Sequence, residues 1–231
     1  MKKGDLRKQE MLDTAEALFC KKGYEQTSVQ DILDQLKASK GSFYHHYPSK
    51  EALLEAICRR RADQVYEAAA STIPEGQGAA MTLNQLFTGM IPFRNERPVF
   101  LLMLLPTFRL PEGRMVKSAY CDALTDRFTP AVEQAIRKGK ETKELFCGEA
   151  GATTDLCLSL VNRLWTILCE QIIQTAEKDT EPDPGEMLHL TETYRSALER
   201  ILSLPYGCLD LVDLPLLKGL TEQIRARWEA V

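Results

Sequence analysis

The stretch Thr27-Ser28-Val29-Gln30-Asp31-Ile32-Leu33-Asp34-Gln35-Leu36-Lys37-Ala38-Ser39-Lys40-Gly41-Ser42-Phe43-Tyr44-His45-His46-Tyr47-Pro48 decides how the amino-terminal region folds. Val29, Ile32, Leu33 and Leu36 recur at i, i+3, i+4, i+7, the spacing of a short helix with one buried face that ends near Leu36. Its start is marked by two competing caps: Ser28 with Asp31, or Thr27 with Gln30, would complete a capping box. After a tight turn of Lys37 and Ala38, Ser39 caps a helix over Lys40–His46, which must stop there because Pro48 pushes Tyr47 out of the α region. In it only Phe43 and Tyr47, at i and i+4, are suited to reach a core. Lys40, Gly41, Ser42, Tyr44, His45 and His46 offer donors, acceptors or bare backbone instead.

Two short helices joined by a tight turn, the second polar at its leading end, are what a helix-turn-helix needs to place side chains in a major groove about 12 Å wide. The flanks extend the pattern. Upstream, Met11, Leu12, Ala15, Leu18 and Phe19 form one apolar stripe and Gly23 follows as a C-cap, so a helix is expected from about Asp5 to Lys22. Downstream, Ser49 caps a helix running beyond Val65 toward Ala70, with Leu53, Leu54, Ile57, Cys58 and Val65 on its buried side.

Gly23-Tyr24-x-x-Thr27-Ser28-Val29-x-x-Ile32, followed by Ser39-Lys40-Gly41-Ser42-Phe43-Tyr44-His45-His46-Tyr47-Pro48-Ser49-Lys50-Glu51-x-Leu53, resembles the DNA-binding domain of the tetracycline-repressor (TetR) type transcriptional regulators. The resemblance covers about 50 residues and departs from the family pattern at Lys37, where many relatives have Gly. A Lys at φ > 0 is uncommon, so a turn of another type is the alternative there. The resemblance implies that Ser39, Lys40, Gly41, Ser42, Tyr44, His45 and His46 touch base edges and phosphates, with Ser28, Gln30 and Lys50 in flanking contacts. Lys40 and Lys50 also stand in the first turns of their helices, where a cation opposes the macrodipole but suits a bound phosphate. Lys2, Lys3, Arg7 and Lys8 form a basic arm, while Arg59, Arg60 and Arg61 fan around their helix and read as a solvated face.

Composition bounds the rest. The chain has 231 residues, 44% hydrophobic and 27% charged, enough to bury a sizeable core, and a net charge of −4 that gives no global sign of a polyanion binder. The charge is uneven: residues 1–61 carry 12 basic and 9 acidic side chains, against 17 and 24 in the remainder. The longest unbroken apolar run, Val99–Leu105, is far below the roughly 20 residues that cross a bilayer. The charged start has no apolar stretch after it, so a cytoplasmic location is expected. Seven cysteines without a Cys-x-x-Cys pair suggest reduced, mostly buried thiols rather than a disulfide or metal framework, and no metal or cofactor is expected.

Helical periodicity continues to the end, so the expected fold is all-α. It would pair a three-helix DNA-binding domain over 1–48 with a helical bundle over 49–231 for effector binding and dimerisation. Leu156–Ile173 is apolar at 12 of its 18 positions, a helix that must be covered on two sides. Met187, Leu190, Tyr194, Ala197, Ile201 and Leu204 follow at alternating threes and fours, a coiled-coil-like seam. Together these predict a homodimer through helices over 153–178 and 186–204, the region where TetR-type proteins dimerise. Phe87, Met90, Phe93, Phe100, Met103, Phe108, Tyr120, Trp165 and Cys169 are candidates for a small-molecule pocket.

The functional expectation is a non-enzymatic repressor that binds a palindromic operator as a dimer and is released by a small effector. The alternatives are a thiol-based redox sensor on the same scaffold, or a small helical enzyme or carrier. The last lacks support, because no paired acid and base stand at a meaningful spacing.

Overall fold

The computed structural model describes residues 3–91, 114–177 and 183–212, with 215, 219 and 222 singly. Among the described residues there are eight helices and no strand: α1 Lys3–Lys22, α2 Val29–Leu36, α3 Lys40–His46, α4 Lys50–Ala70, α5 Ala79–Met90, α6 Arg114–Glu141, α7 Ala150–Glu177 and α8 Pro184–Leu202. They fall into two compact units that divide within α4 and α6. One holds the described residues through 62 together with 114–123; the other holds those of 63–91, 124–177 and 183–212.

In the first unit, α1 buries Met11, Leu12, Ala15, Leu18 and Phe19 and begins at Lys3, two residues before the start read from sequence. Gly23 closes it at φ 87°, a conformation that favours glycine, with its N–H donating to the Phe19 carbonyl at 2.9 Å. Between the two caps offered by the sequence, the structure selects Ser28. Its hydroxyl accepts the Asp31 N–H at 3.1 Å while the Asp31 carboxylate accepts the Ser28 N–H at 2.8 Å. Thr27 is fully buried instead, its hydroxyl donating to the Gly23 carbonyl at 2.8 Å.

The turn after α2 also resolves an open alternative. Lys37 takes the left-handed conformation, φ 50° and ψ 45°, at a cost of roughly 1 kcal/mol for a residue with a Cβ. In that conformation the Ala38 N–H reaches the Leu33 carbonyl at 2.9 Å and the Lys37 N–H that of Asp34 at 3.3 Å, closing α2 as a Schellman motif does. α3 ends where Tyr47 becomes extended ahead of Pro48, and the Ser49 hydroxyl caps α4 by accepting the Ala52 N–H at 3.1 Å.

Arg59, Arg60 and Arg61 correct the sequence reading. Arg59 pairs with Glu55 one turn back, but Arg60 binds Asp13 and Glu16, and Arg61 binds Glu16. Glu16 is only 5% exposed, so these two guanidinia serve a buried carboxylate that ties α4 to α1. The sequence shows the fan of three arginines but not the acceptor on a helix more than 40 residues away.

In the second unit α7 packs on α8 and on α5. Glu144 caps α5 from outside, accepting the Ala79 N–H at 2.6 Å, and a Cβ on Gly78 would stand 2.9 Å from that carboxylate. Glu149 does the same for α7, accepting from Gly151 and Ala152. Trp165 is fully buried and donates to Asn162 at 3.0 Å, which in turn donates to Thr125 on α6 at 2.8 Å. After α8 the chain folds back: the Glu199 carboxylate accepts the Leu209 N–H at 3.0 Å and Asn84 accepts that of Asp210 at 2.7 Å. By length and composition α7 could cross a bilayer, but 56% of its apolar window is buried inside the protein, as in a core helix.

Candidate nucleic-acid interface

α3 is seven residues long and its placement depends on two aromatic anchors. Phe43 is fully buried and Tyr47 is 3% exposed, with ring centroids 6.3 Å apart. Anchoring by i and i+4 turns the rest of the helix outward. Ser39, Lys40, Gly41, Tyr44 and His45 are exposed, and Ser42 and His46 are half-buried. Tyr44 reaches 56% exposure for so large an apolar ring, and the His45 and His46 rings meet edge to face at 5.0 Å.

The hydrogen-bonding capacity of this face is partly committed and partly open. Ser39 Oγ accepts the Ser42 N–H at 3.2 Å and keeps its own O–H to donate outward. A Cβ at Gly41 would meet nothing nearer than Ser39 Oγ at 3.9 Å. The chain itself therefore has no steric need for glycine inside α3, where glycine costs about 1 kcal/mol relative to alanine.

The flanking residues Ser28, Gln30 and Lys50 also make contacts within the chain. The Ser28 hydroxyl donates to Asp31 at 2.8 Å and its N–H is used as well, so its donors serve the cap of α2. Gln30 Nε2 donates to Asp34 at 2.7 Å and has a second hydrogen to give. Lys50 is drawn inward: its Nζ donates to the Tyr24 and Thr27 carbonyls at 3.1 and 3.2 Å and sits 4.2 Å above the Tyr24 ring. That leaves one of its three hydrogens. Burial, and after it Glu51, raises the Tyr24 phenol well above the usual tyrosine range, so the ring stays neutral beneath the ammonium. Of the basic arm, Arg7 pairs with Glu10 and donates to the Leu36 carbonyl at 3.2 Å, and Lys8 lies 5.8 Å over the Tyr47 ring.

In the second unit Phe87, Met90, Trp165 and Cys169 are fully buried; in the first, Tyr120 is 2% exposed. Phe93, Phe100, Met103 and Phe108 lie outside the described residues. A cleft of about 210 Å³ in the second unit is lined by none of these, but by Tyr66, Gln77, Thr82, Gln134 and Lys138 over an apolar floor that includes Ile73 and Leu86. Sequence reasoning had no signal for it, because its walls come from three helices and a loop. The cysteines are less hidden than expected: Cys58, Cys157 and Cys169 are buried, Cys20, Cys121 and Cys147 half-buried, and Cys208 exposed. Among the described residues no group of three or more His, Cys, Asp or Glu side chains could hold a metal ion.

A capped, core-anchored two-helix turn with a polar outward face defines a helix-turn-helix protein of the DNA-binding class. Residues 11–57 match the family described as bacterial regulatory proteins, tetR family. The chain is 35% identical over 82 residues to the transcriptional repressor KstR2 of Rhodococcus jostii, covering 36% of this chain and 40% of that one. It is 29% identical over 136 residues to an uncharacterised HTH-type regulator, YuxN of Bacillus subtilis, covering 59% and 41%. The chain thus spans about two fifths of the length of these curated relatives. The fold extends further: the crystal structure of RolR in complex with resorcinol superposes with a TM-score of 0.62 at 12% identity, over 97% of this chain and 95% of that one.

Proposed function

We propose that the chain is a transcriptional repressor that binds a palindromic DNA operator as a homodimer in the cytoplasm and is released by a small-molecule effector. The observation that carries this reading is the outward face of α3, held polar side out by Phe43 and Tyr47. Lys40 and Ser39 meet phosphates or guanine edges, Gly41 gives the duplex room to approach, and Ser42, Tyr44, His45 and His46 complete the contact. Gln30 and Lys50 offer their remaining hydrogens at the flank, and Ser28 fixes the first turn of α2.

In this reading 1–48 forms the DNA-binding domain and 49–231 the regulatory one. The dimer seam is supported by apolar side chains that a single chain leaves uncovered. Leu156 on α7 is 56% exposed, and Leu160 and Ile167, further along it, are half-buried. On α8, Leu190, Tyr194, Ala197 and Ile201 are all half-buried, as is Leu204 just beyond its end. A small-molecule effector is supported by the likeness of the fold to RolR, which is bound to resorcinol in its crystal structure. Phe87, Met90, Trp165 and Cys169 are proposed to border the effector site in the second unit.

The test is binding of the full chain to duplex DNA from immediately upstream of its own coding sequence. Lys40→Ala should weaken binding at least tenfold while leaving the thermal midpoint unchanged. Equal affinity of Lys40→Ala and the wild type would sink the assignment of α3.

A further inference from the structure

We propose that Lys37, the residue in the turn between α2 and α3, is itself a DNA-contact residue that holds a backbone phosphate beside the leading end of α3. This rests on the reading of α3 as the DNA-binding helix. It goes beyond that reading because Lys37 is not among the residues that the family resemblance assigns.

The turn needs a left-handed residue at this place, and the hydrogen bonds that need it are made by backbone alone: Lys37 N–H to Asp34 and Ala38 N–H to Leu33. Glycine or asparagine would make the same bonds with less strain. A lysine here adds what neither of them carries, a positive charge on a long side chain. Its side chain is exposed, and none of the described hydrogen bonds or ion pairs engages its ammonium. Of the other two left-handed residues that are not glycine, Ser203 donates its hydroxyl to the Phe146 carbonyl, whereas Lys143, like Lys37, has an exposed side chain.

Position gives the ammonium a use. Lys37 stands two residues before the Ser39 cap and three before Lys40, so the turn brings two exposed cations to the same end of α3. Three other basic groups of this unit are already engaged: Arg7 with Glu10, Lys22 with Asp31, and Lys50 with two carbonyls. A phosphate lying against the α2–α3 turn would find Lys37 and Lys40 free to neutralise it, whatever the base sequence. The rival use of the charge is inside the protein, where a cation at the C-terminal end of α2 complements the helix dipole.

The experiment compares Lys37→Arg, Lys37→Asn and Lys37→Gly in the full-length chain with a 30-base-pair random-sequence duplex, titrated across a series of salt concentrations. Lys37→Asn and Lys37→Gly should bind about three- to tenfold more weakly and lower the log–log salt slope by about one unit per subunit, while Lys37→Arg keeps both. Thermal unfolding separates the rival: the contact reading expects Asn and Gly variants no less stable than the wild type. Unchanged DNA affinity and slope in Lys37→Asn, with stability lost, would assign the charge to the α2 dipole and overturn the proposal. If the wild type binds no duplex, or Lys40→Ala binds as it does, the reading of α3 fails first. If only Lys40→Ala weakens binding, this inference alone fails.

Discussion

Glu16 on α1, 5% exposed, is held by Arg60 on α4 at 2.5 Å, with Arg61 on the same carboxylate. Withdrawing a carboxylate from water is tolerable here because two guanidinia satisfy it. Removing it leaves Arg60 with Asp13 as its remaining acid and takes away the carboxylate that Arg61 shares. Glu16→Ala is expected to destabilise the protein by about 3 kcal/mol in urea unfolding, well beyond the median of a surface pair. A loss below about 1 kcal/mol would show that the cluster is held by solvent rather than by the fold.

Tyr47 presents the opposite case. Its ring is buried as an anchor of α3, but its hydroxyl is buried without a hydrogen-bond partner among the described residues, and burial raises the phenol's pKa. A buried hydroxyl with no partner is a net cost. Tyr47→Phe should therefore raise stability by about 1 kcal/mol and leave DNA binding intact. A stability loss of that size would mean that the hydroxyl has a partner in solution.

These two residues also show what a sequence can and cannot tell. Phe43 and Tyr47 were legible as anchors, and Ser39 as a cap, because helix period and capping are rules of neighbours along the chain. The Glu16–Arg60–Arg61 cluster, the inward turn of Lys50 and the Glu144 cap on α5 were not, since each joins groups 20 or more residues apart. At the site, the resemblance named Ser28 and Lys50 by position. The structure gives their donors to the α2 cap and to the Tyr24 and Thr27 carbonyls. Lys37 lay in between: the sequence showed an unusual residue in the turn, but only the backbone angles show that the turn kept its left-handed form around it.

Asp31 makes the α2 cap pH-sensitive. Hydrogen bonds from Ser28, backbone first and then hydroxyl, and from Lys22 hold its pKa at about 2, below the ordinary 3.8. A carboxyl depressed on folding stabilises fully above its unfolded value, and that contribution is lost as pH falls from about 4 toward 2. Following the Asp31 carboxyl carbon by NMR should give a midpoint near 2 that moves upward in Ser28→Ala. A wild-type midpoint at the ordinary value would remove the capping box.

The thiols separate by burial. Desolvation pushes Cys58 and Cys157 up to about 12, so at pH 8 only about one in 10⁴ of either is thiolate. Cys208 is exposed. Alkylation of the native protein followed by mass spectrometry should find Cys208 modified first and Cys58 and Cys157 last. Early modification of Cys157 would revive a redox role for the scaffold; the expected order leaves that role without a reactive buried thiol.

The proposed seam predicts a concentration-dependent assembly. Tyr194 is half-buried in the single chain, with Leu190 one turn before it and Ala197 and Ile201 after it. Covering such a stripe with its copy would remove apolar area from water at about 25 cal/mol per Å², and a charge placed in the middle would have to be desolvated twice, once per subunit. Tyr194→Asp should therefore shift the protein to monomer in sedimentation while circular dichroism stays helical. Because one short helix reads only a few base pairs, the same variant should lose most of its preference for an inverted repeat over random DNA, yet keep its weaker salt-sensitive binding. A Tyr194→Asp protein that remains dimeric would place the seam elsewhere on the chain.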